Sequence, residues 1–180
     1  MELIHKNPVI YVICGKAQTG KDSVAKIIFD AKENSVILSI TKPLKEYARI
    51  ITNWDGNEAT KPRDLLQTLG IDLIKKQIDQ KFLIRRIIED IKVLSYYKDN
   101  IIISGIRLKE EIDDLKQEFD KVVVIKVERP NFDNGLTLKQ KKHITENDLN
   151  NYQEGCVIIN NNYENLKNDV LNILKEVPNE

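Results

Sequence analysis

The nine residues Gly15-Lys16-Ala17-Gln18-Thr19-Gly20-Lys21-Asp22-Ser23 constrain this chain more than any other feature. They fit the pattern G-x-x-x-x-G-K, with Gly15, Gly20 and Lys21 in the fixed places. Glycines let a backbone turn tightly and aim successive N–H groups at one anion. The lysine adds a mobile positive charge, expected at an exposed loop position. Before the loop stands an apolar run, Pro8 to Cys14, of strand length. After it, Val24, Ala25, Ile27, Ile28 and Ala31 recur at helical spacing. A helix starting here presents its positive end to the same anion. Strand, loop and helix in this order are what a phosphate cradle needs; the plain alternative is a glycine-punctuated turn.

Gly15 through Ser23 are therefore the expected ATP-binding residues, with Lys21 catalytic. The hydroxyl that ordinarily follows the lysine and ligates Mg2+ comes one residue late, at Ser23, behind Asp22. Asp22 fits two roles equally: holding a magnesium-bound water, or serving as a first-turn acid favoured by the helix dipole.

Five strand-like runs are expected: Val9–Cys14, Val36–Ile40, Asn100–Ser104, Lys121–Val127 and Val157–Asn160. Most are continuous Val and Ile, the pattern of strands covered on both faces by helices. Helical stripes run through Ile84, Ile87, Ile88 and Ile91, through Leu108, Ile112, Leu115 and Phe119, and through Leu166, Val170, Ile173 and Leu174. This alternation predicts a three-layer αβα sandwich on a five-stranded parallel sheet, as one domain over residues 1–180. Two stretches interrupt it. From about 41 to 97 helices follow one another: Thr41 and Pro43 open one with Leu44, Tyr47, Ala48 and Ile51 inside, and Lys61-Pro62-Arg63 opens another lined by Leu65, Leu66, Leu69, Leu73 and Ile74. From about 129 to 153 no core stripe is evident, and Arg129, Lys139, Lys141 and Lys142 suit a lid over phosphates.

Phosphoryl transfer needs donor and acceptor in line, charge neutralised and water excluded. Acceptor groups belong at the C-terminal edges of the strands. Ser104-Gly105-Ile106-Arg107 lies at such an edge, which makes Arg107 a candidate for touching phosphate. No acid ends this strand to help hold a metal; Ser104, water or Asp22 must substitute.

Here the residues resemble a known group, the phage-type deoxynucleoside monophosphate kinases within the P-loop nucleoside and nucleotide kinases. The loop G-K-A-Q-T-G-K-D-S-V-A resembles theirs, and a hydroxyl shifted past the lysine is similar to nucleoside monophosphate kinases. Thr41-Lys42-Pro43-Leu44-Lys45-Glu46 resembles the family's P-L-K-E stretch, and Lys61 to Gly70 its P-R-x-L-L-Q-x-L-G segment. Ser104 to Glu111 is similar to its S-D-V-R-x-x-N-E element. Arg129-Pro130, followed by His143-Ile144-Thr145-Glu146, is similar to its R-P and H-x-S-E pair around the lid. The resemblance implies transfer of the γ-phosphate of ATP to a nucleoside monophosphate, with Mg2+ at Asp22 and Ser23. It implies that Lys45, Arg63 and Gln67 face the acceptor, that Arg107 faces its phosphate or the transferring group, that Arg129 approaches the phosphates on lid closure, and that His143 and Glu146 position the lid or sense its closure, with a plain hinge contact the equal alternative. Gly105 replaces the family Asp, so Gly105→Asp is expected to be tolerated.

Charge and composition narrow the partners. Lys+Arg and Asp+Glu are both 28, which argues against a nucleic-acid coat protein; small nucleotide substrates need only local cations. No stretch has membrane-span length and no secretory pattern opens the chain, so a cytoplasmic protein without membrane or nucleic-acid partners is expected. Cys14 and Cys156 read as small buried apolar residues in a reducing compartment. Two alternatives stay open: a kinase of another small phosphorylated metabolite, of the dephospho-coenzyme A or phosphomevalonate type, and a nucleotide-binding sensor without turnover.

Overall fold

Strand β1 (Val9–Cys14) organises the molecule, because its side chains alternate between two cores. The computed structural model describes residues 4–177. Ile10, Val12 and Cys14 enter one core, with Ile84, Ile87, Ile88, Ile91, Ile112 and Leu115. Val9, Tyr11 and Ile13 enter the other, with Val24, Ile28, Leu166 and Val170. Every residue of β1 is therefore buried, which explains an apolar run without polar interruption.

The remaining strands are β2 (Ser35–Ser39), β3 (Asn100–Ile106), β4 (Val122–Glu128) and β5 (Cys156–Ile159). They form one parallel sheet in the order β2-β3-β1-β4-β5. Helices α1 (Lys21–Ala31) and α7 (Tyr163–Glu176) cover one face, and α4 (Phe82–Leu94) and α5 (Lys109–Glu118) the other. The expected three-layer αβα architecture is the observed one. The chain leaves β1 to build one wing of the sheet, then returns for the other, so the crevice opens at the C-terminal end of β1.

Between β2 and α4 lie α2 (Lys42–Thr52), the five-residue α3 (Arg63–Gln67) and a π-helical stretch, Thr68–Ile78. Here two inner-face expectations fail. In α2 only Pro43, Leu44 and Ala48 are buried, while Tyr47 and Ile51 are exposed, because α2 packs along one narrow line. Gly70 permits that close approach: a Cβ there would lie 3.1 Å from Leu44 Cδ1. In the π-helix the wider i→i+5 winding changes which residues share a face, so Leu69, Gly70 and Ile74 point inward and Leu73 is exposed.

The segment after β4 also departs from expectation. It contains α6 (Leu138–Lys142) and a 3₁₀ turn (Ile144–Glu146), and it buries Leu136, Gln140, Glu146, Leu149 and Tyr152. Its buried groups are spaced irregularly and two are polar, so no stripe shows in sequence. Lys126 Nζ, buried in β4, donates to the carbonyls of Asn150 and Tyr152, which ties the end of this segment to the sheet. Cys14 is buried, which pushes its thiol up to about 11; Cys156 is only half-buried. No helix among the described residues is long and apolar enough to cross a membrane.

Candidate active site

Steric rules fix the loop between β1 and α1. Gly15 has φ +132°, and a Cβ there would lie 2.3 Å from the Val127 carbonyl oxygen. Gly20 has φ +103°, and a Cβ there would lie 2.5 Å from Asn160 Nδ2. At Gly15 fixed backbone excludes any side chain; at Gly20 the positive φ disfavours one, and the Asn160 amide would have to shift. Asn160 Nδ2 donates to the Thr19 carbonyl at 2.8 Å, and Thr19 Oγ1 donates to the Lys16 carbonyl at 3.1 Å. Loop residues Gly15, Ala17 and Thr19 are buried, while Lys16 and Gln18 are exposed.

Lys21, expected in an exposed loop, is instead the first residue of α1 and only 8% exposed. Its Nζ turns back to donate to the Lys16 carbonyl. Burial, with the nearby Arg107 guanidinium second, pushes the ammonium well below the ordinary lysine range; the Glu146 and Asp22 carboxylates act in the opposite direction. An ammonium held this way is poised to gain strongly from an arriving anion.

Arg107 reaches the loop because β3 carries a bulge. Ile13 pairs with Ser104 and Cys14 with Ile106, so Gly105 is the extra residue, at φ +89°. Beyond it, the Arg107 and Leu108 N–H groups donate to Glu111 Oε2 at 3.1 and 3.2 Å, which starts α5. Burial pushes the Glu111 carboxyl up, opposed by Lys75 and these two N–H groups. Arg107 Nη1 donates to Glu146 Oε1 at 2.7 Å, and the Ala17 N–H donates to Glu146 Oε2 at 2.9 Å.

A cavity of about 530 Å³ opens beside Lys21 and Arg107. Gln18, Gly20, Asp22 and Ser23 line it on the loop side. Lys45, Arg63 and Gln67 line it on the α2–α3 side, so these three expected acceptor residues face the loop across one space. Glu58 bridges the mouth, with Lys61 Nζ at 3.0 Å and Arg63 Nη2 at 2.6 Å. Burial alone raises the Glu58 carboxyl; its bonds to Lys61 and Arg63 outweigh that and lower it.

The model of the deoxynucleotide monophosphate kinase family matches residues 47–170. The chain belongs to this family. The match begins after the loop, within α2, so membership rests on α2 to α5, β3 to β5 and the segment after β4. No curated protein matches the chain. Solved structures share its fold at low identity. An unliganded sugar kinase from Janibacter sp. aligns with TM-score 0.58 and 13% identity, over 93% of this chain and 95% of that one. A gluconokinase from Sinorhizobium meliloti aligns with TM-score 0.53 and 10% identity, over 95% and 96%. The tunicamycin resistance protein of Deinococcus radiodurans gives 0.54 and 11%, over 93% and 95%. These neighbours share the arrangement of sheet and helices, and the family makes the chain a phosphotransferase.

The segment read from the sequence as a lid supplies part of the cavity wall. Leu136 is buried in its wall, and Gln140 Nε2 donates to Asp64 Oδ1 of α3 at 2.7 Å. His143 caps the 3₁₀ turn, with Nδ1 2.9 Å from Thr145 Oγ1. The lid cations take separate places. Arg129 lies 3.7 Å over the Phe132 ring, in the wall of a smaller cavity beside the loop. Lys141 pairs with Asp133 at 3.1 Å, and Lys139 and Lys142 are exposed.

Among the described residues no group of three or more His, Cys, Asp or Glu is arranged to hold a metal. A P-loop magnesium needs few protein ligands, because phosphate oxygens and water complete its shell. Asp22, Ser23 and Ser104 in the cavity wall fit that requirement. Lys75, Glu58 and Glu111 were not foreseen from the sequence as parts of this wall. Only for Glu111 was a signal available: it lies three residues beyond Leu108, at the position of a capping acid.

Proposed function

We propose that the protein transfers the γ-phosphate of ATP to a deoxynucleoside or nucleoside monophosphate, giving the diphosphate and ADP. The observation that carries this is the shared cavity: Lys21 and Arg107 line the same space as Lys45, Arg63 and Gln67. The loop amides and Lys21 hold the donor's polyphosphate. Lys45 and Arg63 draw in the acceptor's phosphate, and Gln67 offers an amide to its sugar or base. An acceptor phosphate oxygen, already anionic at neutral pH, attacks the γ-phosphorus, and the bond to the β–γ bridging oxygen breaks. No general base is required. Arg107 stabilises charge on the transferring group, and Arg129 adds to it from the lid side. Asp22 and Ser23 would hold Mg2+, which would supply charge neutralisation for the donor phosphates. Leu136 and the Gln140–Asp64 bond keep water out while the lid is down.

The test is ADP release from Mg-ATP with each ribo- and deoxynucleoside monophosphate, beside dephospho-coenzyme A and phosphomevalonate. A deoxynucleoside monophosphate is expected to be among the best substrates. Lys21→Ala is expected to lower kcat by roughly a thousandfold or more, the scale of lost electrostatic stabilisation at a transferring group. Turnover of only a non-nucleotide acceptor, or an unimpaired Lys21→Ala, would overturn the proposal.

A further inference from the structure

Two cavities meet at one hydrogen bond. The smaller, about 230 Å³, lies between Gly15, Lys16, the end of β4 and Arg129. The larger, about 530 Å³, holds Lys21, Arg107 and the α2–α3 wall. Ala17, Thr145 and Glu146 line both, so they form the partition. Its closure is the 2.9 Å bond from the Ala17 N–H to Glu146 Oε2.

Glu146 is a carboxylate only 7% exposed, gripped by a loop amide and by Arg107. Both donors belong to the machinery assigned above to phosphate. A backbone N–H is a single donor, so it cannot serve a carboxylate and a phosphate oxygen at full strength together. Two anions brought to the same pair of donors also repel. The carboxylate also offsets the mutual repulsion of Lys21 and Arg107, with Asp22 a smaller contributor to the same end.

We propose that Glu146 is a built-in competitor for the phosphate site: the donor's polyphosphate expels it, opens the partition between the cavities and releases Arg107 toward the transferring group. The displacement rests on the nucleotide-kinase function proposed above. Local structure allows it to be small. Glu146 ends a three-residue 3₁₀ turn, and the chain beyond is anchored: Asp148 Oδ2 accepts from the Lys109 N–H at 2.6 Å, and Leu149 and Tyr152 are buried. Upstream, Gln140 is tied to Asp64. Displacing Glu146 therefore requires movement only of the turn between these two contacts.

Pyrophosphate titrated calorimetrically, without metal, into wild type, Glu146→Gln, Glu146→Ala and Lys21→Ala decides the matter. A site blocked by its own carboxylate nine-tenths of the time loses about tenfold in apparent affinity. Glu146→Gln is therefore expected to bind pyrophosphate roughly tenfold tighter, and Glu146→Ala at least as tightly; the isosteric Gln variant is decisive if the Ala variant does not fold. Unchanged or weaker binding by folded Glu146→Gln, with wild type binding and Lys21→Ala failing to bind, overturns the competitor role alone and makes Glu146 a plain latch. Pyrophosphate bound by none of the four proteins overturns both this role and the kinase proposal.

Discussion

The loop at Gly15–Ser23 and the lid segment after Arg129 both face the cavities, yet they are built on opposite principles. In the loop, position is fixed by the backbone. Gly15 and Gly20 sit where side chains collide with the Val127 carbonyl or with Asn160, and Thr19 is tied to Lys16 and Asn160. In the lid, position is fixed by side-chain partners: Gln140 with Asp64, Lys141 with Asp133, Arg129 with Phe132. A backbone-defined element has one shape and waits for its ligand. A partner-defined element can exchange its partners when a ligand arrives, which is what a lid must do.

Two alanine substitutions compare these principles directly. Gly15→Ala forces a Cβ to within 2.3 Å of a carbonyl oxygen on β4, at a φ that alanine avoids. Its expected cost is roughly 3 kcal/mol or more, with loss of nucleotide binding. Gly135→Ala, in the lid at φ +64°, meets nothing within 4 Å, so it carries only the left-handed penalty, about 1 kcal/mol. Chemical denaturation of both variants checks the contrast; equal midpoint shifts would erase it.

Gly105 probes the junction where the backbone principle reaches Arg107. The sequence invites Gly105→Asp as a harmless return of a carboxylate. The bulge argues otherwise. At φ +89° an aspartate is strained, and its Cβ would lie 3.3 Å from Thr41 Oγ1. A loss of about 2 kcal/mol is expected, together with a fall in kcat as the bulge relaxes and Arg107 is re-aimed. A Gly105→Asp protein as stable as wild type would show that the bulge is not obligatory.

What was legible in the sequence follows the same division. β1, the loop and α1 could be read because a glycine pattern, an apolar run and a helical stripe are local, periodic signals. The sheet followed from runs of Val and Ile. The α2–α3 region was read only in part: helix starts at Pro43 and Arg63 were visible, but π winding that turns Leu73 outward leaves no trace in a 3.6-residue stripe. The lid was least legible, because Gln140 and Glu146 are buried through bonds to residues far along the chain. Glu146 illustrates the limit. Motif position marked it as a lid residue, but only the fold brings it 129 residues back to Ala17.

Lys21 gives an expected effect on stability as small as that of Gly135→Ala, and one with a pH signature. Its ammonium is buried and pushed below the ordinary lysine range, so the folded protein binds the proton less readily than the unfolded chain. A lowered folded-state value means that stability is diminished while Lys21 must be charged, at pH below that value. The deficit shrinks as pH rises toward the unfolded lysine value, near 10.4. Lys21→Met keeps the buried stem without the charge. It is expected to raise stability by about 1 kcal/mol at pH 7, a gain that fades as pH approaches 10, even as turnover is lost. The variant also loses the bond to the Lys16 carbonyl, which limits the gain. Thermal unfolding of both proteins from pH 6 to 10 measures the difference. A Lys21→Met protein less stable than wild type at every pH would show that the loop draws its order from the lysine rather than from its glycines, and the contrast with the lid would fail at the residue on which the proposed catalysis most depends.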